Sequence, residues 1–276
     1  MNLVVQGPAL AAGDLDALSL LAKPQTIREI APHAYRLGGA MRNEGIAPLC
    51  EARRIDHAWM DGETRFADLK LLAMDMDSTL ITIECIDELG DLAGKKAEIA
   101  AVTAQAMRGE IEYRESLRRR VKLLAGLPES SLQEIYDQRL KLTPGAEVLL
   151  AACRRHGVQL LLVSGGFTFF TERLRQRLGL HHTVSNVLEV KDRKLTGALV
   201  GDIVDADAKA AKFREVLHGL KTAKDRSVAI GDGANDLKMM AEAGLSVAFR
   251  AKPVVRAEAS CALNWSGLDG VVNLFE

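Results

Sequence analysis

Leu69-Lys70-Leu71-Leu72-Ala73-Met74-Asp75-Met76-Asp77-Ser78-Thr79 is the stretch on which the fold turns. Its first six residues are apolar except for Lys70, a run too short for an independent helix and without the alternation of a half-exposed strand. Such a run suits a strand buried on both faces. Val158–Val163, broken only by Gln159, repeats the pattern, as do Ser227–Ile230 and Leu245–Phe249. Helical segments separate these runs, which predicts an α/β fold built on a parallel sheet covered by helices on both sides. Two interruptions stand out. Glu84–Leu142 is almost wholly helical by pattern, an insertion between the first and second strands, and Val187–Val200 reads as a β-hairpin around Lys191-Asp192-Arg193-Lys194.

Residues 1–66 differ in texture. Asn2–Val5 is a candidate strand, Asp14 a candidate N-cap for a helix over Leu15–Ala22, and Lys23-Pro24 its stop. Ile27–Leu37 and Ile46–Leu49 are weaker strand candidates. Asp56–Asp68 is mostly polar, contains Asp61-Gly62, and reads as a linker. The expected division is therefore a small α+β segment over 1–66 and a larger α/β body over 67–276, with the helical insertion at about 84–142.

Lys and Arg number 36 against 37 Asp and Glu, a formal net charge of −1, and aromatic residues make up only 4%. Neither a basic surface for nucleic acid or anionic lipid nor a stacking platform is expected from these values. No apolar run approaches the roughly 18 to 20 residues of a membrane-spanning helix. The start, MNLVVQGPALAAGDLDAL, lacks the basic lead of a signal peptide and carries Asp14 and Asp16. Cys50, Cys85, Cys153 and Cys261 are widely spaced among apolar neighbours and read as buried reduced thiols of a cytoplasmic protein.

In open parallel sheets ligands bind beyond the carboxyl ends of the strands. After the first strand, Asp75 and Asp77 are two apart and point the same way on extended backbone. One Asp there is explained by helix capping, two are not. Close carboxylates repel unless one is protonated or a cation lies between them, and oxygen donors suit a hard ion such as Mg2+. After the second strand, Ser164-Gly165-Gly166 is a turn whose backbone N–H groups can approach an anion. After the third, Gly231-Asp232-Gly233-Ala234-Asn235-Asp236 lacks the third glycine of a dinucleotide loop and reads as an acidic cation site. Asp232 adds a carboxylate, and Asn235 is a neutral donor. Lys209, ahead of the helix that leads into this loop, can neutralise phosphate. Arg120 falls on the apolar stripe of Leu117, Val121 and Leu124, while Arg118 and Arg119 face away, so Arg120 is expected to hold an anionic partner. His181-His182 and Met239-Met240 read as surface and core.

Asp75-x-Asp77-x-Thr79, Ser164, Lys209 and Gly231-Asp232-x-x-x-Asp236, in that order, resemble the four motifs of the haloacid dehalogenase superfamily of phosphatases. The similarity is closer still to the phosphoserine phosphatases within it, carried also by Glu84-Cys-Ile-Asp-Glu-Leu89, Ala106-Met107-Arg-Gly-Glu110 and Ser116–Val121. The resemblance runs from about Leu69 onward. It implies a Rossmann-like core with a helical cap, Asp75 as nucleophile and Asp77 as acid and base. It also implies Mg2+ held by the Asp75 side chain, the Asp77 carbonyl and Asp232, with Asp236 in support. Glu84 and Arg120 match residues for the ammonium and carboxylate of O-phosphoserine, and Ser164, Gly165, Lys209 and Asn235 match those around its phosphate. Met107 and Tyr113 match apolar cap positions. The implied activity is hydrolysis of O-phospho-L-serine through an aspartyl-phosphate, the last step of serine biosynthesis. Transfer of the phosphoryl group to another small alcohol such as homoserine is the alternative. Residues 1–66 look too short for two βαβ halves and read as a docking or dimerising element, so a homodimer is a candidate assembly.

Overall fold

The computed structural model of the chain describes residues 1–61 and 64–276. The N-terminal segment runs β1 (Asn2–Gln6), α1 (Ala12–Ala22), β2 (Thr26–Ala31), β3 (Ala34–Gly38), α2 (Ile46–Arg53) and β4 (Asp56–Met60). Its antiparallel sheet has the order β2-β3-β1-β4. That succession is a complete βαββαβ unit, so the expectation that the segment is too short for two βαβ halves is wrong. Short elements make it fit.

Four local expectations fail here as well. Ile46–Leu49 belongs to a helix, with Ile46 and Cys50 buried one turn apart. Ile27–Leu37 is two strands rather than one. Asp56–Asp68 is not a linker throughout, because Asp56–Met60 is β4 with Asp56, Ala58 and Met60 buried; the break expected at Asp61-Gly62 lies, from Gly62, outside the described residues. Asp14 lies inside α1 rather than capping it, its carboxylate accepting from the Ala11 N–H. Leu3 and Val5 face α1 and α2, whereas Val4, Ala58 and Met60 face the other way into the main core. Period-two alternation thus lets one thin sheet serve two cores.

The body begins with β5 (Leu71–Met74). The insertion follows as α3 (Cys85–Leu92), α4 (Lys96–Met107), α5 (Tyr113–Lys122) and α6 (Ser130–Gln138). Then come α7 (Ala146–His156), β6 (Gln159–Phe167), α8 (Thr168–Leu178), the hairpin β7 (His182–Lys191) and β8 (Lys194–Val200), and α9 (Ala206–Gly219). The chain finishes with β9 (Ser227–Gly231), α10 (Leu237–Glu242), β10 (Leu245–Phe249), α11 (Pro253–Glu258) and β11 (Cys261–Leu263). The sheet order is β11-β10-β9-β5-β6-β7-β8, parallel throughout except for the β7–β8 pair. In β5 all four residues are buried. Leu72 and Met74 enter the core shared with α7, α8 and the cap, while Leu71 and Ala73 meet Phe213, Met239, Met240 and Val255 from α9, α10 and α11. The two-sided burial read from the apolar runs is present, and all four cysteines are buried and unpaired.

Ser164-Gly165-Gly166 is not a turn. It is the extended end of β6, which continues to Phe167 because Phe167 pairs with Asn186 of β7 past an irregularity in register. Lys209 lies within the first turns of α9, not ahead of it. Among the described residues no helix is long and apolar enough to cross a membrane.

Candidate active site

β5 ends in the middle of the sheet, between β6 and β9, and Asp75 is the first residue beyond it. Its carboxylate caps the single turn Met76–Leu80, accepting from the Met76 N–H at 2.8 Å. Ser78 takes φ 55°, and its N–H donates to the Ile83 carbonyl. This left-handed residue folds the chain back and starts the cap beside the catalytic strand.

Lys209 is wholly buried. Its ammonium donates to Asp75 Oδ1 at 2.9 Å and to Asp236 Oδ1 at 2.8 Å. Burial works against its charge, but the two carboxylates outweigh it and hold the lysine well above its ordinary pKa. Asp236 is fixed from behind by the Gly233 N–H at 3.1 Å. A side chain on Gly231 would fall 2.5 Å from Asp236 Cβ, so the close approach requires glycine there. Asp75, Asp232 and Asp236 each offer an oxygen within 4.8 Å of the others. Burial and then the charge of Asp236 push Asp232 up to about 7, and the same two causes raise Asp75. Of these three carboxylates Lys209 bonds only Asp75 and Asp236, leaving an excess of negative charge that a divalent ion such as Mg2+ fits. Asp236, expected only in support, belongs to the acidic group itself.

Asp77 stands outside that group. Its Oδ1 accepts from the Cys85 N–H at 3.0 Å, and Oδ2 lies 2.7 Å from where a Gly166 side chain would begin. Burial first and the charge of Glu84 second push its carboxyl up to about 7. Glu84 opens onto the cavity and accepts from Ser78 Oγ at 2.7 Å. Desolvation inside the cleft raises its pKa, while Arg120 and Lys252 oppose the rise.

A cavity of about 760 Å³ joins these groups, lined by Asp75, Asp77, Glu84, Arg120, Gly165, Asp232 and Asn235 among others. Ser164 and Lys209 are buried just behind its wall, Ser164 Oγ accepting from the Gly166 N–H at 2.8 Å. Arg120 Nε is buried without a protein acceptor among the described residues. Tyr113 brings its hydroxyl against Gly165, and Met107 on the same lining is 65% exposed.

Lys252 and Asn186 escaped the sequence reading. Lys252 lines the cavity and its N–H donates to the Asp232 carbonyl at 3.2 Å. It lies three residues past the carboxyl end of β10, the position from which the other strands also present site residues. Asn186 donates to the Gly165 carbonyl at 2.7 Å and accepts from the Val204 N–H at 2.8 Å. No local pattern marks that role.

Residues 72–241 match the haloacid dehalogenase-like hydrolase family, and residues 3–46 match a domain of unknown function (DUF4072). A phosphoserine phosphatase from a Polaromonas species is 54% identical over 217 residues, covering 77% of this chain and 92% of its own. Among solved structures, a probable phosphoserine phosphatase from Vibrio cholerae superposes with a TM-score of 0.86 at 35% identity, over 99% of this chain and 85% of that one. A substrate-bound phosphoserine phosphatase gives 0.71 at 34%, over 75% and 99%. With its acidic strand ends, its helical insertion and these relatives, the chain belongs to the haloacid dehalogenase-like hydrolases.

Proposed function

We propose that the chain is a phosphoserine phosphatase, hydrolysing O-phospho-L-serine to L-serine and phosphate. The observation that carries this reading is a single cavity in which Glu84 and Arg120, at the root and in the third helix of the cap, face Asp75 and Asp77. A zwitterionic amino-acid head needs one anion and one cation, and a phosphomonoester needs a nucleophile and an acid. The cavity holds all four.

Both donors to Asp75, the Met76 N–H and the Lys209 ammonium, act on Oδ1. That leaves Oδ2 to attack phosphorus while the bond from phosphorus to the serine oxygen breaks, giving an aspartyl-phosphate. Asp77, with its pKa pushed up to about 7, holds the proton that the departing serine oxygen takes. Once deprotonated, it accepts a proton from the water that attacks the aspartyl-phosphate and releases phosphate. Lys209 keeps Asp75 in place and offsets part of the charge that a phosphate dianion brings. Asp75, Asp232 and Asp236, with the Asp77 carbonyl, would hold Mg2+, which when bound supplies further charge neutralisation at the phosphoryl oxygens. Arg120, with its free Nε, is suited to the substrate carboxylate, and Glu84 to the ammonium. The buried thiols support the cytoplasm as the compartment, and the substrate supports a place at the end of serine biosynthesis.

Phosphate release from O-phospho-L-serine with Mg2+, for wild type and Asp75→Asn, tests the reading. Fast release by wild type and near-abolition in the variant are expected. Release that survives the substitution sinks the nucleophile, and wild type active only on an aryl phosphate sinks the substrate.

A further inference from the structure

We infer that Arg114 is a positioning residue: through Asp205 it sets how closely the cap helix bearing Arg120 approaches the core helix bearing Lys209. The inference rests on the phosphoserine reading above.

Arg114 is the second residue of α5, and Asp205 is the N-cap of α9. Nε and Nη2 of Arg114 both reach Asp205 Oδ2 at 2.6 Å, across 91 residues of sequence. Both residues line the cavity. Asp205 is not free to follow the arginine. Its Oδ1 accepts from the Ala208 N–H at 3.0 Å, and its carbonyl accepts from the Lys209 N–H at 2.9 Å. Asp205 is therefore a fixed point on the core, against which the bridge sets the cap helix. On the cap side, Arg114 is bracketed by Tyr113, against Gly165, and by Arg120 further along the same helix. The ion pair thus joins two stiff elements at the wall of the site, one presenting the reader of the amino-acid carboxylate and the other the lysine behind the nucleophile.

Half-exposed ion pairs contribute little to folding stability, and this one is assigned no such role. Its effect lies in a distance. Arg120 belongs to the cap, whereas Asp75, Asp77 and Lys209 belong to the core. Loosening the bridge should weaken recognition of the amino-acid head and spare the phosphoryl chemistry.

Arg114→Ala and Asp205→Asn, the latter keeping an oxygen for the Ala208 N–H, are assayed on O-phospho-L-serine and on p-nitrophenyl phosphate. In both variants KM for O-phosphoserine should rise about tenfold with kcat nearly unchanged, below the hundredfold that an ångström of misplacement can cost. Turnover of the aryl phosphate, which carries no amino-acid head, should stay within about twofold of wild type, and Arg114→Lys should fall between. An unchanged KM in both variants, or an equal loss on both substrates, overturns the positioning role. Wild type that hydrolyses p-nitrophenyl phosphate but not O-phosphoserine overturns the functional reading instead, and this inference with it.

Discussion

Lys209 holds two buried carboxylates apart with one ammonium, and its loss would leave Asp75 and Asp236 facing each other in a dry pocket. Lys209→Met should abolish phosphate release. In metal-free buffer it should also cost roughly 3–5 kcal/mol of stability, the range for breaking a buried ion pair, read from urea unfolding. Glu84 acts on its neighbour through charge. A carboxyl pushed up to about 7 is protonated below that pH, so the acid role of Asp77 is present on the acidic side and fades as pH rises through it. Removing the Glu84 charge removes one cause of the rise. Glu84→Gln should therefore move the alkaline limb of kcat/KM to lower pH, measured with a simple alkyl phosphate, which has no ammonium to lose but whose departing alkoxide still needs the proton; a limb at higher pH would contradict this. At this scale the sequence was most legible where the signal is local. Asp75 and Asp77 break an apolar strand end, and Arg120 breaks an apolar stripe. Tyr113 against Gly165 and Asn186 behind Gly165 are meetings through space, and spacing along the chain does not record them.

The elements repeat the lesson. Runs buried on both faces, such as β5 and β9, announce themselves by composition, and so do the amphipathic cap helices α3, α5 and α6. α2 has only two buried positions, too few for a helical period to show. β4 looked like linker because its buried members include Asp56, a charge that only a distant partner can satisfy. The hairpin between β7 and β8 was legible from its turn. Asp192 and Arg193 take φ 52° and 58°, the pairing of positive angles that a two-residue turn needs to match strand twist. Asp192 tolerates that region, but Arg193 does not, and glycine at the second position removes its strain. Arg193→Gly should stabilise the protein by about 0.5–1 kcal/mol, seen as a rise in Tm, without touching activity, since its backbone carbonyl still accepts from the Glu129 N–H.

In the whole molecule the N-terminal unit and the last turns of the chain form one interface. Asp56 receives the N–H groups of Asn264, Trp265 and Ser266, Gln6 donates to the Gly270 carbonyl, and Arg36 donates to the Phe275 carbonyl at 2.8 Å. Asp56→Ala would strip several donors at once and should lower stability by about 3 kcal/mol. The two tryptophans, Trp59 and Trp265, lie on opposite sides of this contact. Their fluorescence and the far-UV circular dichroism should follow a single urea transition in wild type; two separated transitions would mean that the N-terminal unit folds independently.

That interface also has a history on the ribosome. Asp56 leaves the exit tunnel 208 residues before Asn264, and Gln6 leaves 264 residues before Gly270. At about 5–20 residues per second, a nascent Asp56 waits roughly ten to forty seconds for the amides that will receive it. For that interval the apolar face of β1 and β4 lacks the last turns that pack on it, so this early-made unit is among the later parts to be finished.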